Sequence, residues 1–415
     1  MKRIGTLYIY ELKKIISRKI VWIVGAIMVM LCVFLSFSDL ILSSYYGAEE
    51  ISGYEATQIY RQYARSLEGR TIDDTLLQEM QNFYSKETVQ KSTANDSIVI
   101  KDEHTTITTN GLQNDETDKG ITDYTPIYSY VQEITGDNNL TSEIDSDGLY
   151  KEREKTISQN RTDQILTEKE KAYWEGKDKQ TKIPFTYGYT DGWSNLWQYV
   201  YTINYMILLM LAICLSQIFL SEHSRKTDAI ILCSKYGKGH LYLAKILAGI
   251  TFGGIVSLLF FGVTAISSVC VYGADGFSTA LQLAFPLSSW NISIGESVLI
   301  LLFVLLVVSV LYSITIMVLS EILKNSVAVM SIPVGIMILT MMIDIPYEFR
   351  IASQVYDLLP TNLLTTWGLW DDRLFSVFGK YLINFQIAPI IYLIISIILF
   401  FVGKKAYLKY QIGAR

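Results

Sequence analysis

Residues 221–245, SEHSRKTDAIILCSKYGKGHLYLAK, form a polar interval wedged between two long apolar runs, and their reading orders the whole chain. The basic residues Arg225, Lys226, Lys235, Lys238 and Lys245 assign the interval to the cytoplasmic side of a membrane, because Lys and Arg beside a span are retained there. Inside it, residues 227–233 read as a short amphipathic turn of helix. Ala229, Ile230, Ile231 and Leu232 face a neighbour, while Glu222, Arg225, Lys226 and Asp228 face water. A knob of this size suits a groove on another protein.

Half of the 415 residues are apolar, which excludes an ordinary water-soluble globule and predicts a mainly α, polytopic membrane protein. All four cysteines, Cys32, Cys214, Cys233 and Cys270, stand in or beside apolar runs, so none can staple the large polar region between Tyr45 and Asn195. That region holds 28 acidic and 16 basic residues, a balance of −12 within a chain of net charge −5, which leaves +7 for the rest. A positive remainder is expected of a cytoplasmic face.

Outward from the interval, the order of runs predicts six spans with both termini cytoplasmic. Residues 1–19 carry Ile4, Leu7, Tyr8, Leu12, Ile15 and Ile16 on one side and Glu11, Lys13, Lys14 and Arg18 on the other, the pattern of a helix lying in the inner interface. The long helical lead and the lack of a small-residue cleavage site near residues 36–44 favour retention over a secretory signal peptide. The first span is predicted at 20–38, since about 20 apolar residues match a hydrocarbon core about 30 Å thick. An exported domain follows at 39–200, mostly helical. Its predicted helices cover 49–67 and 72–91, paired as a hairpin and broken at Gly69, then 124–134 and 150–166; short strands or loop are expected at 97–101 and 105–109. Capping boxes are read at Thr71 with Asp74 and at Thr167 with Glu170. Trp193, Trp197, Tyr199 and Tyr201 read as an aromatic belt leading into the second span at 201–220. The opening interval at 221–245 comes next, then a third span at 246–272 with a small-residue face at Gly249, Gly253, Gly254 and Ser257, read as internal packing. After it come an outer loop at 273–297, a fourth span at 298–319, an inner turn at 320–326 and a fifth span at 327–343 bent at Pro333. An outer segment at 344–384 with helical patches at 347–359 and 363–370, a sixth span at 385–403 and a tail at 404–415 complete the chain. The inner segments hold 16 basic residues and the two shorter outer segments three, which sets the orientation.

The chemistry is sparse. No GxxxxGK[ST] phosphate loop occurs, and Gly237-Lys238-Gly239-His240 lacks the spacing to wrap a phosphate. His104, His223 and His240 are dispersed, with no partner at metal spacing, and no nucleophile elbow is present. The chain itself is expected to be non-catalytic, with no cofactor and no metal, and nucleic acid is not an expected partner. Asp39, Glu296, Asp344 and Glu321 stand near the ends of spans, so the mid-membrane charges of ion-driven carriers are missing, and no internal repeat is visible. Asn204, Gln217, Ser309 and Ser313 are the candidate lining of a translocation path, with helix packing as the favoured alternative.

The spaced residues Glu222, Lys226-Thr227-Asp228, Ile231-Leu232, Ser234-Lys235-Tyr236-Gly237-Lys238 and Ala244-Lys245, with the layout of spans, resemble the permease subunits of ABC-2 type exporters. A Gly near Asp228 and a Pro near Lys235, frequent in that pattern, are absent. The resemblance implies that the interval carries a coupling helix docking on a separate ABC ATPase through Glu222, Arg225, Lys226, Thr227, Asp228, Ile230, Ile231, Leu232, Ser234 and Lys235. It implies an elbow helix that also touches the ATPase, with Glu11, Lys13, Lys14 and Arg18 as its charged residues. ATP and Mg would sit on the partner ATPase, and a second permease copy or a homologous permease would complete the path within membrane lipid. The implied function is ATP-driven export of a peptide-like or lipid-like amphipathic cargo, including antimicrobial-peptide export or resistance, at a bacterial plasma membrane. The competing expectation is a membrane sensor whose outer domain binds a ligand and whose inner loop signals to a cytoplasmic partner.

Overall fold

The long apolar runs fold as helices because only a helix satisfies every backbone group within its own segment when no water is at hand. The computed structural model describes residues 2–41, 43–46, 49–95, 122–136, 144–220, 222, 239–365 and 370–409. Helix α1 (Lys2–Ile16) turns sharply into α2 (Lys19–Ile41). The polar domain follows, and then α8 (Asp191–Leu215), α9 (Gly239–Tyr272), α10 (Ile294–Leu323), α11 (Ser326–Met342) and α13 (Asn384–Lys409) build the bundle. Among the described residues α2, α8, α9, α10 and α13 are long and apolar enough to cross a membrane, and α11 is a shorter apolar helix of 17 residues. At 1.5 Å per residue α11 spans about 26 Å, slightly less than the hydrocarbon core. Helices α8, α9 and α10 are mutually packed at the centre, with α13 against α10 and α1 and α2 against α9.

Local signals explain the boundaries. Ser293 and Glu296 form a capping box at the start of α10, and Asn325 Oδ1 accepts from the backbone N–H groups of Val327 and Ala328 at the start of α11. Between them Lys324 takes a left-handed φ of +50°, which ends α10. The small-residue face of α9 is internal: a Cβ at Gly253 would lie 2.3 Å from Ser313 Oγ, whereas Gly254 faces open space.

The helices at the joint and beneath the polar domain start ahead of the predicted spans. Helix α8 begins ten residues before 201, so the expected aromatic belt lies on its first turns, where Trp197 and Tyr199 are buried in the bundle core. Helix α9 begins at Gly239, which draws residues 239–245, expected as loop, into the helix.

The polar domain has its own core, gathered around Leu67, Ile72, Leu76, Ile127, Val131 and Leu149. It opens with the hairpin β1 (Ser43–Tyr46) and β2 (Glu49–Ser52), so the helix expected from 49 starts only at α3 (Gly53–Ser66), capped by Ser52 Oγ. The remaining helices are α4 (Asp74–Asn95), α5 (Thr125–Thr135), α6 (Ser146–Asp163) and α7 (Glu168–Asp178). Helix α3 packs on α2 and α5 rather than pairing with α4 as a hairpin. Gly69, at φ +81°, makes the break read from the sequence. The start of α4 is capped by Asp73, which accepts from Leu76 N at 3.2 Å, not by the expected Thr71–Asp74 box. The Thr167–Glu170 box is present. The expected strands at 97–101 and 105–109 lie outside the described residues.

Charged and aromatic side chains seat this domain on the loops of the bundle. Arg153 is buried and donates to the carbonyls of Pro286 (2.6 Å) and Ser288 (2.7 Å). Arg65 pairs with Asp275 at 2.6 Å, and Trp174 Nε1 donates to Asp372 O at 2.6 Å. Glu170 accepts from Arg350 and from Leu374 N, at 2.8 Å in the second case. Close backbone contact completes the seat: a Cβ at Gly192 would stand 1.8 Å from Gly273 O. In the segment before the last span, α12 (Arg350–Asp357) is shorter than expected, and a hairpin of β3 (Phe375–Val377) and β4 (Lys380–Leu382) stands where none was read. The expected helix at 363–370 is a series of turns through 365, and residues 366–369 lie outside the described set.

Candidate functional site at the elbow joint

The site is built where three chain segments meet at the end of the bundle remote from the polar domain. Helix α1 presents Tyr8, Leu12 and Ile15 toward α9, at the spacing that makes one helical face. Glu11 belongs to that same face. It is only 4% exposed, which corrects its assignment to the water side. The helical start of α9 at Gly239 turns Lys245 inward, where it has no exposed surface. Glu222, 8% exposed, follows the end of α8.

These groups form one ionic cluster. Lys245 Nζ donates to Glu222 Oε1 at 2.6 Å and to Glu11 Oε2 at 3.0 Å. It also reaches the carbonyl of Ile218 at 3.4 Å. Lys14 Nζ donates to Glu222 Oε1 at 3.0 Å and stands 3.8 Å from Glu11. Two carboxylates and two ammonium groups therefore balance, the condition under which buried charge is tolerable. Burial alone would raise the Glu222 carboxyl, but the ammonium groups of Lys245 and Lys14 outweigh it and hold the group below the usual carboxylate range.

Further contacts lock the joint. Arg18 Nη1 donates to Cys214 O at 3.2 Å and Nη2 to Gln217 O at 3.5 Å, so the bend between α1 and α2 satisfies carbonyls left open at the end of α8. Tyr8 Oη donates to Thr251 Oγ1 at 3.0 Å on α9. Ser320 Oγ of α10 donates to Ser216 O at 2.6 Å. Phe219, Tyr242 and Tyr407 pack ring against ring over the cluster, and Lys245 Nζ sits 5.5 Å from the Phe219 centroid. Through Lys245 and Lys14, Glu222 is thus tied to α9 and α1 at once.

A family model described as ABC-2 family transporter protein matches residues 6–363. The chain belongs to that family. It is a membrane-spanning permease of an ABC transporter, a multi-pass component of the transport machinery. Neither the curated proteins nor the solved structures provide a match.

Of the docking residues expected in the permease, Glu222 is engaged inside the joint, not offered to solvent. Arg225, Lys226, Thr227, Asp228, Ile230, Ile231, Leu232, Ser234 and Lys235 lie outside the described residues. On the elbow helix Lys13 is exposed, while Glu11, Lys14 and Arg18 make the contacts above. The four expected path residues do not come together. Asn204, Ser309 and Ser313 are wholly buried among α8, α9 and α10, whereas Gln217 is exposed at the joint end. Asn204 Nδ2 donates to Pro360 O at 2.8 Å and Ser309 Oγ to Leu306 O at 2.8 Å. Sequence reasoning missed Lys245 as a buried anchor; its signal was a lysine four residues into an otherwise apolar helical pattern.

Proposed function

We propose that this permease is the membrane half of an ATP-driven exporter, oriented with the elbow joint in the cytoplasm and the polar domain outside, and with α11 as a sixth span. The basic residues concentrated at the joint end support that orientation. Residues 221–238 dock on a separate ABC ATPase, with Ile230, Ile231 and Leu232 as the apolar anchor and Arg225, Lys226 and Asp228 as charged contacts. ATP and Mg belong to the ATPase; this chain supplies no catalytic group. Two permease units, identical or homologous, share one path. Closure of the ATPases on ATP pushes the loop, and the cluster passes the push to α1 and α9 as fairly rigid bodies. The cargo is amphipathic, peptide-like or lipid-like, because the spans carry no unpaired charge at mid-depth.

The observation that carries this reading is that Glu222, at the mouth of the docking loop, shares Lys245 with Glu11 of the elbow. Charge reversal at Arg225 and Lys226 tests it. Membrane insertion should survive while co-purification with the ATPase and cargo-stimulated ATP hydrolysis fall at least tenfold. A full-length chain that co-purifies with no nucleotide-binding partner in stoichiometric amount would overturn the reading and favour a sensor.

A further inference from the structure

Helix α6 and its C-terminal cap carry Ile157, Asn160 and Gln164 at spacings of three and four residues, so the three share one face. That face forms one wall of a cavity of about 340 Å³, and Phe285, Trp290, Trp370 and Asp372 stand on the others. Asn160 is exposed, so it marks the rim of the cleft. The volume stands near the lower limit of small-molecule pockets, about 300 Å³, which suits a compact ligand.

The lining mixes two chemistries. The amides of Asn160 and Gln164 each bring a donor and an acceptor. Gln164 Oε1 accepts from Asp372 N at 3.2 Å, which keeps its NH2 group for a ligand. Asp372 Oδ2 accepts from Arg161 Nε at 3.2 Å, and among the described residues Oδ1 takes no hydrogen bond, so it remains an acceptor. The three rings, with Leu281 and Leu287, supply the apolar share. Charge is already answered around the cleft: Arg161 Nη1 also donates to Asp178 Oδ2 at 2.6 Å, and Lys177 Nζ lies 5.2 Å from the Trp290 ring. Two cations thus balance two carboxylates, and Trp290 already holds a cation against its ring. A charged ligand would give up its water there without gaining a partner ion. A neutral ligand with hydroxyl groups on its edge and C–H bonds on its faces meets both kinds of lining.

We infer that this cleft binds a neutral pyranose ring, its C–H face against Phe285, Trp290 and Trp370 and its hydroxyls on Asn160, Gln164 and Asp372. A free sugar and the headgroup of a glycolipid present this same chemistry. The inference goes beyond the exporter reading, and neither needs the other.

The test uses the full chain, produced in a host without glycolipids and taken into native lipid particles with a styrene–maleic acid copolymer, which avoids glycoside detergents. Saturation-transfer difference NMR follows glucose, glucosamine and glucuronate, one ring in neutral, cationic and anionic form, at neutral pH. The ring protons of glucose should show saturable transfer, with an affinity at least tenfold tighter than that of either charged analogue. Asn160→Trp, which fills the cleft from its exposed rim, should abolish the transfer. Should that variant fail to fold, Asn160→Leu, close to asparagine in size, should weaken glucose binding severalfold. In particles enriched in a monoglucosyl diacylglycerol, loss of the free-glucose signal assigns the site to the lipid headgroup, and an unchanged signal assigns it to soluble sugar. No saturable transfer from glucose, transfer that survives Asn160→Trp, or equal or tighter binding of a charged analogue would overturn the inference. None of these outcomes bears on whether residues 221–238 dock on an ATPase, so the two readings fail separately.

Discussion

Replacing Lys245 by Met tests the elbow joint most directly. The substitution keeps the unbranched apolar stem and removes the ammonium that touches Glu222 at 2.6 Å and Glu11 at 3.0 Å, leaving two buried carboxylates with Lys14 beside them in the cluster. Breaking a buried ion pair from one side costs about 3–5 kcal/mol, because a charge is left without compensation. Lys14 stays 3.0 Å from Glu222 and its side chain is 28% exposed, so it and the water beside it soften the loss, which places the expectation near the lower limit, about 3 kcal/mol. That corresponds to roughly a hundredfold change in an opening equilibrium. Amide hydrogen exchange in α1, followed by mass spectrometry in nanodiscs, should accelerate by about two orders of magnitude, with α10 and α13 little changed. Adding Glu11→Gln and Glu222→Leu to Lys245→Met removes the stranded charges and should recover most of the protection, since apolar replacement of a whole buried pair is often neutral. Unchanged exchange in the single variant, or a triple variant no better than the single one, would refute the electrostatic account of the joint.

The same cluster predicts a pH dependence. The Glu222 carboxyl lies lower in the folded chain than its unfolded value of about 4.3, so its contribution is complete above that value and is lost as pH falls through the folded one. The melting-temperature gap between the wild type and Glu222→Gln should therefore narrow as pH drops from 7 toward 3.5, and a constant gap would contradict it. At the domain seat, Gly192→Ala places a methyl group 1.8 Å from a backbone carbonyl and should cost about 1–3 kcal/mol, while Gly254→Ala, with open space around it, should stay within about 0.5 kcal/mol. Thermal unfolding of the two variants side by side decides this. Arg153→Leu orphans the carbonyl of Pro286, at about 1–3 kcal/mol, leaves Ser288 O with the longer bond from Gln282 Nε2 at 3.3 Å, and should speed proteolysis of the 281–290 loop well before the spans unfold.

How much of this was legible follows from how local each signal is. The apolar runs, the Thr167–Glu170 box, the break at Gly69 and the packing face of α9 are written in short stretches, and all four appear in the structure. Glu11 was misread because a carboxylate on an apolar stripe looks like a solvated residue until its partner, Lys245, is known, and the two are 234 residues apart. The first turns of α8 mix Asp191 and Asn195 with aromatic rings, a composition that reads as an approach to a membrane; only the overlying domain makes it a buried helix start. The β3–β4 hairpin hides for another reason. Its two turn residues, Phe378 and Gly379, both have positive φ (+49° and +78°), and phenylalanine is an improbable occupant of the first position. The elbow joint itself could be expected only as a set of charges, since no spacing rule links residues 11, 222 and 245.

The polar domain leaves the chain between α2 and α8, yet its anchors reach Asp275, Pro286 and Ser288 in one loop and Arg350, Asp372 and Leu374 in another. A chimera that exchanges only residues 39–200 would graft a plug without its socket. Anyone moving the domain to a different scaffold would have to transplant three stretches of sequence at once, and natural variation in one of them should be answered by variation in the other two.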